Sequence, residues 1–128
     1  MPRILVVTDT HWSRNQVRAA LTDPGIELVH HEDPTTVAEE VTNGRYDAVL
    51  VDLQIGSMGG MAVTRSVRGA ATLGGLPQIP VVLMLDRSAD AFLAKRAGAA
   101  AWIVKPFTSH TMTVTLNHAL ADIKADSQ

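Results

Sequence analysis

The chain has 128 residues and a formal net charge of −2, a length expected to form one domain around one core, with no room for a second catalytic or DNA-binding unit. Hydrophobic residues are 46% of the chain, yet the aromatics are only 2 Trp, 1 Tyr and 2 Phe, so the interior must be built from Val, Leu, Ile and Ala, which suits a parallel sheet covered by helices. No run of five basic residues occurs, arguing against direct nucleic-acid binding, and the absence of Cys excludes disulfides, thiolate zinc sites and thiol catalysis. The first apolar run, 4–7, is too short for a signal peptide or a membrane span, so a cytoplasmic protein without membrane contact is expected.

Five short apolar runs, 4–7, 26–29, 48–51, 81–85 and 102–104, are continuous rather than alternating, as strands covered on both faces require. After the first, Val17, Ala20 and Leu21 fall at helical spacing, with Ser13 and Gln16 as a capping box or a start one turn earlier at Thr10. The second interval reads as a helix with Asp33 as N-cap, Pro34 in the first position, Val37 and Val41 inward, and Asn43-Gly44 as a left-handed stop. A third helix is expected over 60–68 with Val63 and Val67 inward, followed by a looser Gly-rich stretch, 69–80. A fourth covers 89–97 and is closed by Gly98, and the last follows Pro106, with Met112, Leu116, Ala119, Leu120 and Ile123 on one face.

Strict strand–helix alternation with right-handed crossovers predicts a doubly wound α/β sheet in three layers, whose sites lie beyond the carboxyl ends of the strands. There the first strand ends in Thr8-Asp9, the third in Asp52 and the fifth in Lys105-Pro106. Two carboxylates and an ammonium converge, an arrangement suited to holding an anion and a cation together.

With these strand ends stand Ile4-Leu5-Val6-Val7, Arg14, Tyr46-Asp47-Ala48-Val49-Leu50-Val51, Met58 with Gly60, Pro80-Val81-Val82-Leu83-Met84, and Ala97-Gly98-Ala99 leading to Trp102-Ile103-Val104-Lys105-Pro106-Phe107. Over residues 3–123 the chain resembles an atypical, single-domain, two-component response-regulator receiver domain. The resemblance implies a flavodoxin-like five-stranded parallel sheet in the order 2-1-3-4-5, with helices one and five on one face and helices two, three and four on the other. It implies that Asp52 is the phosphoacceptor, that Asp9, Asp52 and the backbone carbonyl of Gln54 surround Mg²⁺, and that Lys105 holds a phosphoryl oxygen. It further implies a signalling domain rather than an enzyme. The phosphoryl donor would be a histidine kinase or phosphotransfer protein, and the downstream protein target would bind the face of helix four, strand five and helix five, where Ala91, Lys95, Trp102 and Thr115 fall. Ala100 and Ala101 lack the acidic pair of the dimer face in the DNA-binding subclass.

The residue types fit the chemistry. A carboxylate attacking phosphorus that already bears negative oxygens needs local positive charge, and Mg²⁺ takes oxygen ligands while keeping several waters. The site departs from the family pattern in three places. Thr8 stands where a second acid is usual, and the lost charge, worth on the order of 1 to 4 kcal/mol at an effective dielectric of about 20, should weaken Mg²⁺ binding without abolishing it. Leu85 stands where a hydroxyl usually donates to the aspartyl phosphate, a bond worth roughly 1.5 to 3 kcal/mol. Asp86 and Arg87 follow where a small residue is usual, and the loop's customary Pro and Asp are Gly56 and Gly59. Trp102 occupies the position of the family's switch aromatic.

Other readings remain. A receiver fold with Leu85 and Thr8 could serve as a phosphorylation-independent interaction module. Asp9-Thr10-His11 begins a cobalamin-binding motif but Arg14 fills its Gly position, and an aspartyl phosphatase would need an acid where Gln54 stands. Gly59-Gly60 and Gly74-Gly75 read as turns rather than nucleotide loops, and His30, His31 and His118 as solvated side chains.

Overall fold

The computed structural model describes residues 2–56, 58–74 and 78–126. Five parallel strands, β1 (Arg3–Val7), β2 (Glu27–His31), β3 (Ala48–Asp52), β4 (Val81–Leu85) and β5 (Ala101–Val104), form one sheet in the order β2-β1-β3-β4-β5. They alternate with helices α1 (His11–Ala20), α2 (Val37–Asn43), α3 (Gly60–Gly74), α4 (Ala91–Ala97) and α5 (Ser109–Asp126). Strands β3 and β4 are buried along their whole length, as their uninterrupted apolar sequences require.

The pleat sorts the core into two layers. Ile4, Val6, Ala48, Leu50, Val82, Met84, Ala101 and Ile103 face Val17, Ala20 and Leu21 from the α1 side and Met112, Leu116 and Ala119 of α5. Leu5, Val7, Val49, Val51, Val81, Leu83 and Leu85 face Val37 and Val41 of α2, Val63 and Val67 of α3, and Ala94 of α4. Helices one and five therefore share one face and two, three and four the other, as the resemblance implies. The side chain of Ile123, and Gly75, lie outside the described residues.

Several boundaries differ from the sequence reading. Of the two starts that the sequence offers for α1, the structure takes the earlier, Thr10, whose side chain accepts from the Ser13 N–H at 3.2 Å, so Ser13 lies one turn inside the helix and is buried. Strand β2 begins one residue late and takes in His30 and His31, which are half-buried rather than solvated. Asp33 caps a 3₁₀ turn, Pro34–Thr36, that leads into α2, and a second such turn, Ser88–Asp90, precedes α4. Helix α3 continues through Gly69 to Gly74.

Gly44 is not a left-handed stop. Its φ is −95° with ψ 174°, and glycine is needed because a Cβ there would strike the Tyr46 ring and crowd Glu40 O at 3.2 Å. At Gly98, by contrast, φ is +92° and the left-handed stop is real. At Gly60 a Cβ would run into the Asp52 carbonyl oxygen and the Leu53 backbone, so glycine lets α3 begin directly under the end of β3.

Tyr46, the one tyrosine of the chain, is 7% exposed and donates to Glu40 Oε1 at 2.6 Å beneath the Arg3 guanidinium. Burial, reinforced by the Glu40 bond, pushes its phenol up to about 12. This preference for the protonated form stabilises the fold fully below the unfolded phenol's pKa of about 10 and is lost as pH rises through about 12. Tyrosinate absorbance in an alkaline titration should appear near pH 12 in the folded protein, and about two units lower in urea. A folded-state midpoint near 10 would show the phenol to be open to water.

Candidate functional site

Three strand ends on the α1–α5 side of the sheet carry the polar cluster. The alternation that places Ile4 and Val6, Ala48 and Leu50, and Ala101 and Ile103 in that layer places Thr8, Asp52 and Lys105 in the same one. The register Val7↔Val51 brings Thr8 directly beside Asp52, and Lys105 reaches back across β4.

Asp52 is 2% and Thr8 1% exposed. The Thr8 hydroxyl donates to Asp52 Oδ2 at 2.6 Å, and Lys105 Nζ forms an ion pair with Asp52 Oδ1. The same ammonium donates to Ser13 Oγ at 3.1 Å, lies 3.9 Å from Asp86 Oδ1, and sits 5.8 Å from the centroid of the Trp12 ring. Trp12 is 60% exposed. The Lys105-Pro106 peptide is cis.

Asp9 is exposed, just past β1, and its Oδ2 accepts from the Gly56 N–H at 3.0 Å. A proline at 56 could not make this bond, since it has no N–H. Gly56, at φ +53°, and Gly59, at φ +81°, both adopt left-handed backbone, and the Gly60 N–H closes the loop on Leu53 O at 2.8 Å. Met58 packs against the α2–α4 layer, and Gln54 is exposed in the turn after β3.

The structure thus brings Asp52, Lys105, Thr8 and Ser13 together, with Asp86 3.9 Å from the Lys105 ammonium, while Asp9 stands one residue past Thr8, bonded to Gly56, and Gln54 is exposed two residues past Asp52. Leu85 is fully buried on the other face of the sheet, in the layer against which the half-buried Trp102 packs, and pairs in register with Val104. Sequence reasoning misses two participants. Ser13 reads as a cap, and Thr8 as a missing charge when it is a donor. The pleat parity of strand one, counted on from Val6, is the signal that finds Thr8.

The donor set, two carboxylates and a carbonyl, is the all-oxygen kind that Mg²⁺ takes. The residues fit that ion in type, although Asp52 already has a partner on each oxygen. Among the described residues no three His, Asp or Glu side chains gather as metal ligands. His30 lies 3.5 Å from Arg18, with burial first and then Arg14 and Arg18 holding its imidazole below the usual value, while His31 Nε2 meets Thr36 Oγ1 at 2.7 Å. Arg14 pairs with Glu32 at 2.7 Å, away from Asp52.

A family model described as "response regulator receiver domain" matches residues 4–117. The chain belongs to this family. It is 28% identical to protein PilH of Pseudomonas aeruginosa over 121 residues, covering 94% of this chain and 99% of that one. It is 29% identical to the chemotaxis protein CheY of the same organism over 111 residues, 86% of this chain and 89% of that one. Among solved structures, the Vibrio cholerae chemotaxis response regulator CheY4 superposes with a TM-score of 0.79 at 25% identity, over 93% of this chain and 98% of the other. A response regulator receiver domain protein from Clostridium thermocellum, 22% identical, shares the fold with a TM-score of 0.80 over 98% of both chains. Receiver domains are signalling modules that typically bind Mg²⁺ at an acidic pocket and contact histidine kinases or phosphotransfer proteins. No helix among the described residues is long and apolar enough to cross a membrane.

Proposed function

We propose that this receiver accepts a phosphoryl group on Asp52 from a histidine kinase or phosphotransfer protein, with Mg²⁺ bound weakly, and signals through protein contacts. The observation that carries the reading is the juxtaposition of Asp52 at the end of the central strand with the Lys105 ammonium, Asp9 standing at the adjacent strand end. An Asp52 oxygen bonds to phosphorus as the bond to the donor's leaving group breaks with its electron pair. Lys105 would move from the carboxylate to a phosphoryl oxygen, a short step because it is already in contact. Asp9, Asp52 and the Gln54 carbonyl would hold Mg²⁺, which supplies positive charge against the phosphoryl oxygens.

The face for a downstream target is that of α4, β5 and α5. A cavity of about 240 Å³ opens there, lined by Ala100, Ala101, Trp102, Val114, Thr115 and His118. Similarity to PilH and CheY over nearly their whole lengths supports this single-receiver reading over an interaction module indifferent to phosphorylation.

The test is intact mass after incubation with acetyl phosphate and Mg²⁺. One phosphoryl group should be gained slowly by the wild type and none by Asp52→Ala. Equal labelling of both, or of neither, would overturn the assignment in favour of the interaction module.

A further inference from the structure

Thr8, Asp52, Lys105 and Ser13 form a linked row of side chains, none more than about a tenth exposed. It holds one carboxylate, one ammonium and two hydroxyls, with the more exposed Asp86 3.9 Å from the ammonium, and both oxygens of the Asp52 carboxylate have partners. An acid at position 8 would set two carboxylates side by side, a repulsion that a divalent cation relieves. A hydroxyl there donates a hydrogen bond to Asp52 instead. Asp9 is treated alike, its Oδ2 held by the Gly56 N–H. Both donors come from positions where this chain departs from the family pattern, and both take an oxygen that a cation would need.

Resting on the reading of Asp52 as a cation-assisted phosphoacceptor, we propose that Thr8 is a positioning residue that competes with the divalent cation for Asp52 Oδ2. The hydroxyl holds the carboxylate closed in the resting state, and a cation gains that oxygen only as the hydrogen bond is released. Thr8 is then more than a lost ligand, because it opposes binding. Removing the hydroxyl without adding any ligand should therefore tighten the site.

The experiment is titration with Mg²⁺ alone, followed by calorimetry and by the emission of Trp12, whose ring lies 5.8 Å from Lys105 Nζ. Thr8→Val keeps the β-branched shape and has no donor. It should bind Mg²⁺ about tenfold more tightly than wild type, the worth of one hydrogen bond to a charged group. Its melting temperature should rise on adding Mg²⁺ more than that of wild type. Thr8→Ser should return both values to those of wild type. If Thr8→Val does not fold, Thr8→Cys serves, since its thiol is a weak donor and a poor Mg²⁺ ligand, and a gain of a few-fold is expected. Thr8→Asp reports on the metal reading separately. Tightening in Thr8→Asp with none in Thr8→Val or Thr8→Cys would overturn the competition and leave cation assistance standing. Absence of Mg²⁺ binding in all of them would overturn the two together.

Discussion

Lys105→Met should lower the free energy of unfolding by about 3 to 5 kcal/mol, and adding Asp52→Asn to the same chain should return most of that loss. The two side chains are 10% and 3% exposed, so deleting the ammonium strands a carboxylate away from water with only the Thr8 hydroxyl on Oδ2. Asparagine removes the charge and still offers Thr8 an oxygen to donate to. The contrast within the same molecule is Arg14 with Glu32, whose acid is 69% exposed and whose loss should cost less than about 1 kcal/mol. Urea unfolding of wild type, both single variants and the double variant closes the cycle. A Lys105→Met protein within about 1 kcal/mol of wild type would mean that water reaches Asp52 and that the resting site is open.

The sheet could be read from the sequence because its signal is redundant. Five continuous apolar runs, each followed by a helical interval, allow little besides a parallel sheet with both faces covered. What escapes is local and decided by few atoms. Gly44 carries the signature of a left-handed stop, yet the Tyr46 ring packed over it is the reason for glycine, and that contact involves a side chain two residues on. Gly69 suggests an end to α3, but a Cβ there would meet nothing within 4 Å, and the helix runs on through Ala70 and Ala71. The cost of one glycine, about 1 kcal/mol, does not stop a helix whose inward Val63 and Val67 are buried.

The site was legible as three charges at three strand ends, since topology alone brings those ends together. The partners of those charges were not, because a departure from a family pattern is naturally counted as a loss. Thr8 looks like a missing acid until strand register sets it against Asp52, and Gly56 looks like a missing proline until its N–H is seen on Asp9. A residue that removes a charge can add a donor, and only the geometry tells which matters.

Leu85→Thr should cost about 2 to 4 kcal/mol of resting stability and at the same time make Trp102 responsive to a phosphoryl mimic, to which the wild type should not respond. Leu85 is fully buried among the side chains facing α2, α3 and α4, on the sheet face that Trp102 shares, and its backbone is fixed by the Lys105 N–H at 2.8 Å. Its side chain has no donor and gains nothing by approaching a dianion, so the space that it fills in this layer should stay filled whatever happens at Asp52. A population shift needs an interaction that differs between the two states, and Leu85 is expected not to provide one. Threonine is smaller, and from the last position of β4, beside the end of β3 that carries Asp52, the resemblance implies that its hydroxyl donates to the phosphoryl group, a bond worth roughly 1.5 to 3 kcal/mol that exists only when the mimic is present. The readout is Trp102 emission on adding beryllofluoride with Mg²⁺, in a Trp12→Phe background because Trp12 is 60% exposed beside the site. Emission should hold steady while Leu85 is in place and shift in the Leu85→Thr variant. A shift in the Leu85 protein that disappears in Asp52→Asn would show that the signal leaves the site by a route that bypasses β4.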